Sequence, residues 1–215
     1  FEPESKTKWP TDIYSIKILN DLNKYKDIKL VWDFGRMNWL IILTQAYEYK
    51  KDIKYLEFGI NGINSFIDFN YLNIGVHWCS EQEVAIRLIN MIVFFEHCRK
   101  NKLIGNRQNQ KFKVIIYLHL KYIKANINYA KNAIRNNHLI YGLIGGLIAM
   151  EHLNLKEDNI LKKKWEFLLS KSISEQWFDD GGYIQPSFNY HRHALFALII
   201  FKSHMKNGSY KIIKE

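Results

Sequence analysis

Two cysteines, three prolines and eleven glycines in 215 residues leave this sequence short of material for several kinds of construction. Cys79 and Cys98 cannot make a disulfide framework or a complete zinc site. Both fall in apolar helical surroundings, where a buried free thiol is the expected state. So little proline and glycine excludes Pro-rich linkers and a succession of tight hairpins. No stretch reaches the roughly 20 apolar residues of a membrane-spanning helix. The nearest, Leu139 to Met150, is short and contains Gly142, Gly145 and Gly146. Acidic residues are also in deficit, 21 against 31 Lys and Arg, and the net charge of +10 favours an anionic partner. The lysines are scattered rather than gathered on one helix face, and no nucleic-acid-binding motif accompanies them. Nucleic acid is therefore not the expected partner.

What is abundant is apolar and aromatic side chain, 47% and 15% of the chain, enough for a packed core. It recurs at helical spacing. Trp39, Leu40, Leu43, Ala46 and Tyr47 share a face, as do Ala85, Leu88, Ile89, Ile92 and Phe95. Ile116, Leu120, Ile123, Ile127, Ala130 and Ile134 step by fours and threes over more than four turns. Further helices are expected at Leu139 to Met150, around Trp165 to Ile173, and from about Tyr190 to Met205. Strand-like alternation is almost absent, so the fold class is all-α. Val84 to Phe95 and Leu195 to Phe201 are apolar over more than half the circumference and call for neighbours on two sides. Antiparallel helix pairs in two layers satisfy that demand. The glycines at 142, 145 and 146 then provide either close helix approach or room for a ligand.

The joints between helices carry the polar chemistry. Asn101 to Gln110 reads as a polar loop, and Asp158 as the N-cap of the helix after a charged turn. Asn136-Asn137-His138 sits between two apolar helices, where either asparagine is suited to capping the second. Asp180-Gly181-Gly182 is a strong breaker, followed by Gln185, Ser187 and the run Tyr190-His191-Arg192-His193. One helical turn puts Tyr190 and His193 on roughly the same side. A phenol beside cations is a candidate acid or base, because positive neighbours favour the phenolate. His191 and His193 lack a nearby carboxylate to complete a metal site, so no metal and no cofactor is expected.

Four stretches, in this order, resemble the N-terminal helical domain of the heparinase II/III-like polysaccharide lyases, a group that includes alginate and heparin lyases. They are Trp32-Asp33-Phe34-Gly35-Arg36-Met37-Asn38-Trp39-Leu40 with Gln45-Ala46-Tyr47; His77-Trp78-Cys79-Ser80 with Glu83-Val84-Ala85-Ile86-Arg87 and Asn90; Asn136-Asn137-His138-Leu139; and Asp180-Gly181-Gly182 with Gln185, Ser187 and Tyr190-His191-Arg192. The likeness spans about residues 30 to 200.

The resemblance implies an incomplete (α/α) toroid of antiparallel helix pairs over the whole of 1–215. It also implies β-elimination on an acidic, uronate-containing polysaccharide in the periplasm or outside the cell. Carried over residue by residue, Asn137 hydrogen-bonds the substrate carboxylate with help from His138. Tyr190 acts as acid for the leaving oxygen, and His191 and Arg192 hold the tyrosine and neutralise charge. Asn136, Gln185, His193, Arg87 and Trp78 are the remaining candidates for substrate contact, although Arg87 and Arg36 also fit an ion pair with Glu83. Members commonly carry a Glu four residues after the His, where this chain has Gly142. They also carry a further β-sandwich domain. The chain opens at Phe1 and stops at Glu215 without such a domain, so it is expected to be a piece of a longer protein or a degenerate relative, poorly active alone.

Overall fold

The computed structural model describes residues 6, 8–25 and 27–205. Among them the chain is all-α, with nine α-helices and no strand. They are α1 (Ser15–Asn20), α2 (Ile28–Gly35), α3 (Trp39–Lys50), α4 (Lys54–Phe69), α5 (Glu81–Lys100), α6 (Asn106–Tyr129), α7 (Asn137–Leu153), α8 (Asn159–Gln176) and α9 (Phe188–His204). By its contacts the chain divides into two compact units, residues 1–122 and 123–215, with the boundary inside α6.

In the first unit α3, α4 and α5 and the start of α6 enclose Leu40, Leu56, Ile63, Phe94, Phe95 and Phe112. A smaller core of Trp9, Ile18, Ile28, Val31 and Val76 joins α1 and α2 to the 3-10 turn Val76–Trp78. The α5 helix is buried nearly all round from Glu81 to Phe95, as its apolar circumference predicts. Its polar residues are therefore the informative ones, since a buried polar group needs a partner. Glu83 receives a two-pronged bond from Arg36, Nε to Oε2 at 2.7 Å and Nη2 to Oε1 at 2.9 Å. Asn90 Nδ2 donates to the Arg36 carbonyl and to Asn38 Oδ1, both at 2.8 Å. Arg87 donates to the carbonyls of Gly35 at 3.3 Å and His77 at 2.9 Å, and to His119 Nε2 at 3.1 Å. The first two motif stretches thus grip each other: every long polar side chain of the α5 motif holds the joint between α2 and α3.

That arrangement corrects two expectations. Arg87 is 1% exposed and Trp78 3% exposed, and the guanidinium carbon lies 5.2 Å from the Trp78 ring centre and 4.7 Å from that of Phe66. Neither is placed to touch a polysaccharide, because the donors and the ring face are consumed inside the first unit. Burial pushes the Arg87 guanidinium down to about 9, opposed by the nearby Glu83 charge. Among the described residues the ion pair with Glu83 is made by Arg36 and not by Arg87.

In the second unit α7 packs on both α8 and α9. Two of the α7 glycines, Gly142 and Gly146, serve close approach. A Cβ at Gly146 would stand 2.1 Å from the Trp165 ring, and one at Gly142 would stand 2.7 Å from Ile127 Cδ1. Asp158 occupies the N-cap position of α8 without making the capping bond, because its carboxylate takes Lys124 Nζ at 2.6 and 2.7 Å. The expectation of neighbours on both sides fails for α9, where Phe196 and Ile199 are 57% and 64% exposed. The α6 helix also begins earlier than its polar start suggests, so Asn106 to Gln110 is helix rather than loop.

Candidate functional site

The other two motif stretches meet in the second unit. The α6 helix ends in a π-turn, Ala130–Ile134, closed by the Arg135 N–H on the Ala130 carbonyl at 2.8 Å. Arg135 is left-handed (φ 52°), which turns the chain sharply into α7. Asn136 is the cap there: its Oδ1 accepts the His138 N–H at 3.0 Å. Asn137 follows inside the first turn, 2% exposed, and its Oδ1 has no hydrogen-bond partner. His138 is half-buried beside it.

After α8 the chain reverses over Asp180-Gly181-Gly182. Asp180 Oδ1 accepts the Gly182 N–H at 2.8 Å, and Gly181 takes φ 83°, a conformation that favours glycine. The reversal lays Tyr183 back on Trp177, ring centres 4.6 Å apart, and returns the Ile184 N–H to the Gln176 carbonyl at 2.8 Å. The Asp-Gly-Gly motif is thus a shaping element. Tyr183 is buried, and burial pushes its phenol well above the ordinary tyrosine range.

Two residues that sequence reasoning did not single out join the motifs. Gln176 donates through Nε2 to the Asn136 carbonyl at 3.3 Å and accepts the Tyr183 hydroxyl on Oε1 at 2.7 Å. Tyr183 in turn stacks on His191, 5.9 Å between centres and 18° between planes. Tyr141, one turn beyond Asn137, contacts His193, one turn beyond Tyr190. Its hydroxyl lies 2.8 Å from Nδ1 and 2.9 Å from the His193 carbonyl. A carbonyl only accepts, so the hydroxyl donates to the His193 carbonyl. The available signals were spacing signals. Tyr141 continues the Asn137 face at i+4, and Gln176 continues the buried row Trp165, Leu169, Ser172 on α8.

Because Gln176 ends α8 beside the start of α7, and α9 begins just after the loop, α7 and α9 run side by side in the same direction. Asn137 lies about 6 Å below Tyr141 along its axis, and Tyr190 about 4.5 Å below His193 along its own. Their exposure differs: Tyr190 is 43% exposed, Asn137 is enclosed. Gln185 is half-buried and its Oε1 also lacks a partner. The contacts of His191 and Arg192 depart from expectation. His191 packs on Tyr183 and Trp177, and Arg192 donates to Asn189 Oδ1 at 3.4 Å. Among the described residues no three His, Cys, Asp or Glu side chains are grouped to hold a metal, and no helix is long and apolar enough to cross a membrane.

Residues 5–211 match the family described as Heparinase II/III N-terminus. The chain belongs to that family. No curated protein and no solved structure matches it. All four motif stretches fall inside the matched span of the heparinase II/III N-terminal family, two of them in the grip of the first unit and two at the α7–α9 junction.

Proposed function

We propose that this chain is the helical, substrate-binding part of a lyase that cleaves an acidic, uronate-containing polysaccharide by β-elimination outside the cytoplasm, its helices forming an incomplete (α/α) toroid. Family membership supports a polysaccharide-lyase-related domain. The observation that carries the finer reading is the pairing of two polar motifs, 52 residues apart in sequence at Tyr141 and His193, at the start of two adjacent helices.

The reaction removes the proton on C5 of the uronate, breaks the C4–O bond and leaves a C4=C5 double bond. Charge accumulates on the carboxylate as the proton leaves, so the site must offer donors or cations there and an acid at O4. Tyr190 is accessible and suits the acid. In a cycle where it also serves as base, its phenolate takes the C5 proton and the phenol returns that proton to O4, with no net change in the enzyme. Asn137 presents Nδ2 to the carboxylate once its side chain turns from the buried position, with His138 alongside. Arg192 adds positive charge near Tyr190. His191 and His193 fix the first turn of α9 through Tyr183 and Tyr141, while Asn136 and Gln185 shape the floor.

A second reading, a carbohydrate-binding module without turnover, is favoured by the enclosure of Asn137. The two separate in one assay. The chain is incubated with alginate, heparan sulfate and hyaluronan while the ultraviolet absorbance of the unsaturated product and glycan binding are followed. Product that disappears in Tyr190→Phe and Asn137→Ala supports the lyase. Binding without product supports the module, and neither binding nor product with any acidic glycan removes both.

A further inference from the structure

Beside the α7–α9 junction, and sharing Gln176 with it, lies a cavity of about 320 Å³. Its wall carries Lys131 and Arg135 from the π-turn and Lys171 from α8, with Leu139, Leu168 and Ile184 as an apolar floor. Lys131 and Arg135 are exposed, and among the described residues no carboxylate pairs with either. The single acid on the rim, Glu175, reaches Lys171 at 3.5 Å across one helical turn, an exposed pair of small energetic weight. Three cations against one carboxylate, around a hollow with apolar side chains in its lining, leave a surplus of two positive charges.

The π-turn is what puts the cations there. Widening the last turn of α6 by one residue and ending it in a left-handed Arg135 aims 131 and 135 into the hollow rather than along the helix. Arg135 offers a planar fork, suited to a carboxylate or sulfate, and the lysines add point charges.

We propose that this cavity is an anion subsite, taking the carboxylate or sulfate of a sugar adjacent to the one held at Asn137 and Tyr190. It rests on the proposed function and names an added requirement, that the glycan carry acidic groups on neighbouring residues. The cavity would set affinity and register along the chain and take no part in bond breaking.

Binding of a carboxylate-only alginate oligomer and of a sulfated heparan oligomer is measured by calorimetry across a salt series for the full chain, Lys131→Gln/Arg135→Gln, and Glu175→Gln. Loss of both cations is expected to weaken binding by about tenfold and to flatten its salt dependence, whereas loss of the rim acid tightens it. An unequal effect on the two oligomers identifies which anion the pocket accepts. Because the substituted side chains are exposed, the fold is expected to survive, and circular dichroism checks it. Should the double variant bind both oligomers with unchanged affinity and salt slope, the subsite is wrong while the proposed function stands. Should the unaltered chain bind neither oligomer, the proposed function itself falls and the subsite with it.

Discussion

Gln176→Leu tests the bridge between the two motif clusters. The side chain is 3% exposed and makes both of its bonds inside the second unit. Its loss has unequal consequences. The Asn136 carbonyl keeps another donor, the Leu139 N–H at 3.0 Å. The Tyr183 hydroxyl, on a ring 6% exposed, loses its acceptor. A buried hydroxyl left unpaired costs about 1–3 kcal/mol, and the weaker bond to Asn136 adds about 0.5–1 kcal/mol. The sum is about 1.5–4 kcal/mol, a fall of about 3–16 °C in Tm for a chain of this size. Tyr183→Phe strands the glutamine oxygen instead and is expected to cost about 1–2 kcal/mol. The double variant removes both polar partners and should be no worse than Gln176→Leu alone, a coupling of about 1 kcal/mol or more. Urea unfolding measures the three variants, and hydrogen exchange at the Ile184 amide, which donates to the Gln176 carbonyl, reports the local opening. Additive single effects, or a Gln176→Leu variant within about 0.5 kcal/mol of the parent, would show that the bridge does not hold the junction.

Gly146→Ala should destabilise by about 1–2 kcal/mol, because the overlap with the buried Trp165 ring outweighs the gain in helix propensity, while Gly142→Ala meets only the flexible end of Ile127 and should be near neutral; thermal melts of the pair decide. Burial and the Arg87 charge push His77 down to about 3, and His119 is shifted downward by the same causes. A depressed histidine binds its proton more readily unfolded than folded. Stability is therefore intact above the ordinary value of 6.5 and drains away as pH falls from there towards 3, by up to about 1.4 kcal/mol per pH unit for each histidine. His77→Phe should flatten that slope, and an unchanged slope counts against the assignment. Burial pushes both Cys79 and Cys98 up to about 12, so a thiol reagent should label neither in the folded chain and both on unfolding.

The helices that carry a long apolar stripe were legible in the sequence, since the 3.6 period of α5, α6 and α7 is the same fact as their burial. The α4 helix was not, because Gly59 and Gly62 interrupt its pattern. Both prove to be packing residues: a Cβ at Gly59 would lie 2.3 Å from Phe94, and one at Gly62 would lie 2.5 Å from Trp39. The first turn of α6 was hidden by its polar composition, Phe112 being the first buried residue on it. The motifs named the right joints of the chain but not what each residue does there. Sequence spacing does not tell whether Arg36 or Arg87 reaches Glu83, a matter settled by which side chain lies on the rim and which in the core. Nor does it reveal that the end of α8, forty residues later, returns to the start of α7, where Gln176 reaches the Asn136 carbonyl beside the buried Asn137. The pairing of Asn136 with Tyr183 through Gln176 was beyond reach for the same reason, being a contact of three segments.

The five-residue turn at Ala130–Ile134 also decides where α6 lets go of the chain. Its closing bond reaches back five residues, from the Arg135 N–H to the Ala130 carbonyl, and Arg135 leaves in the left-handed region. A regular α-helical ending would reach back four residues instead and release the chain from a different point on the helix. The entry into Asn136 and α7, and the seats of Lys131 and Arg135 around the hollow, are thus consequences of one wide turn.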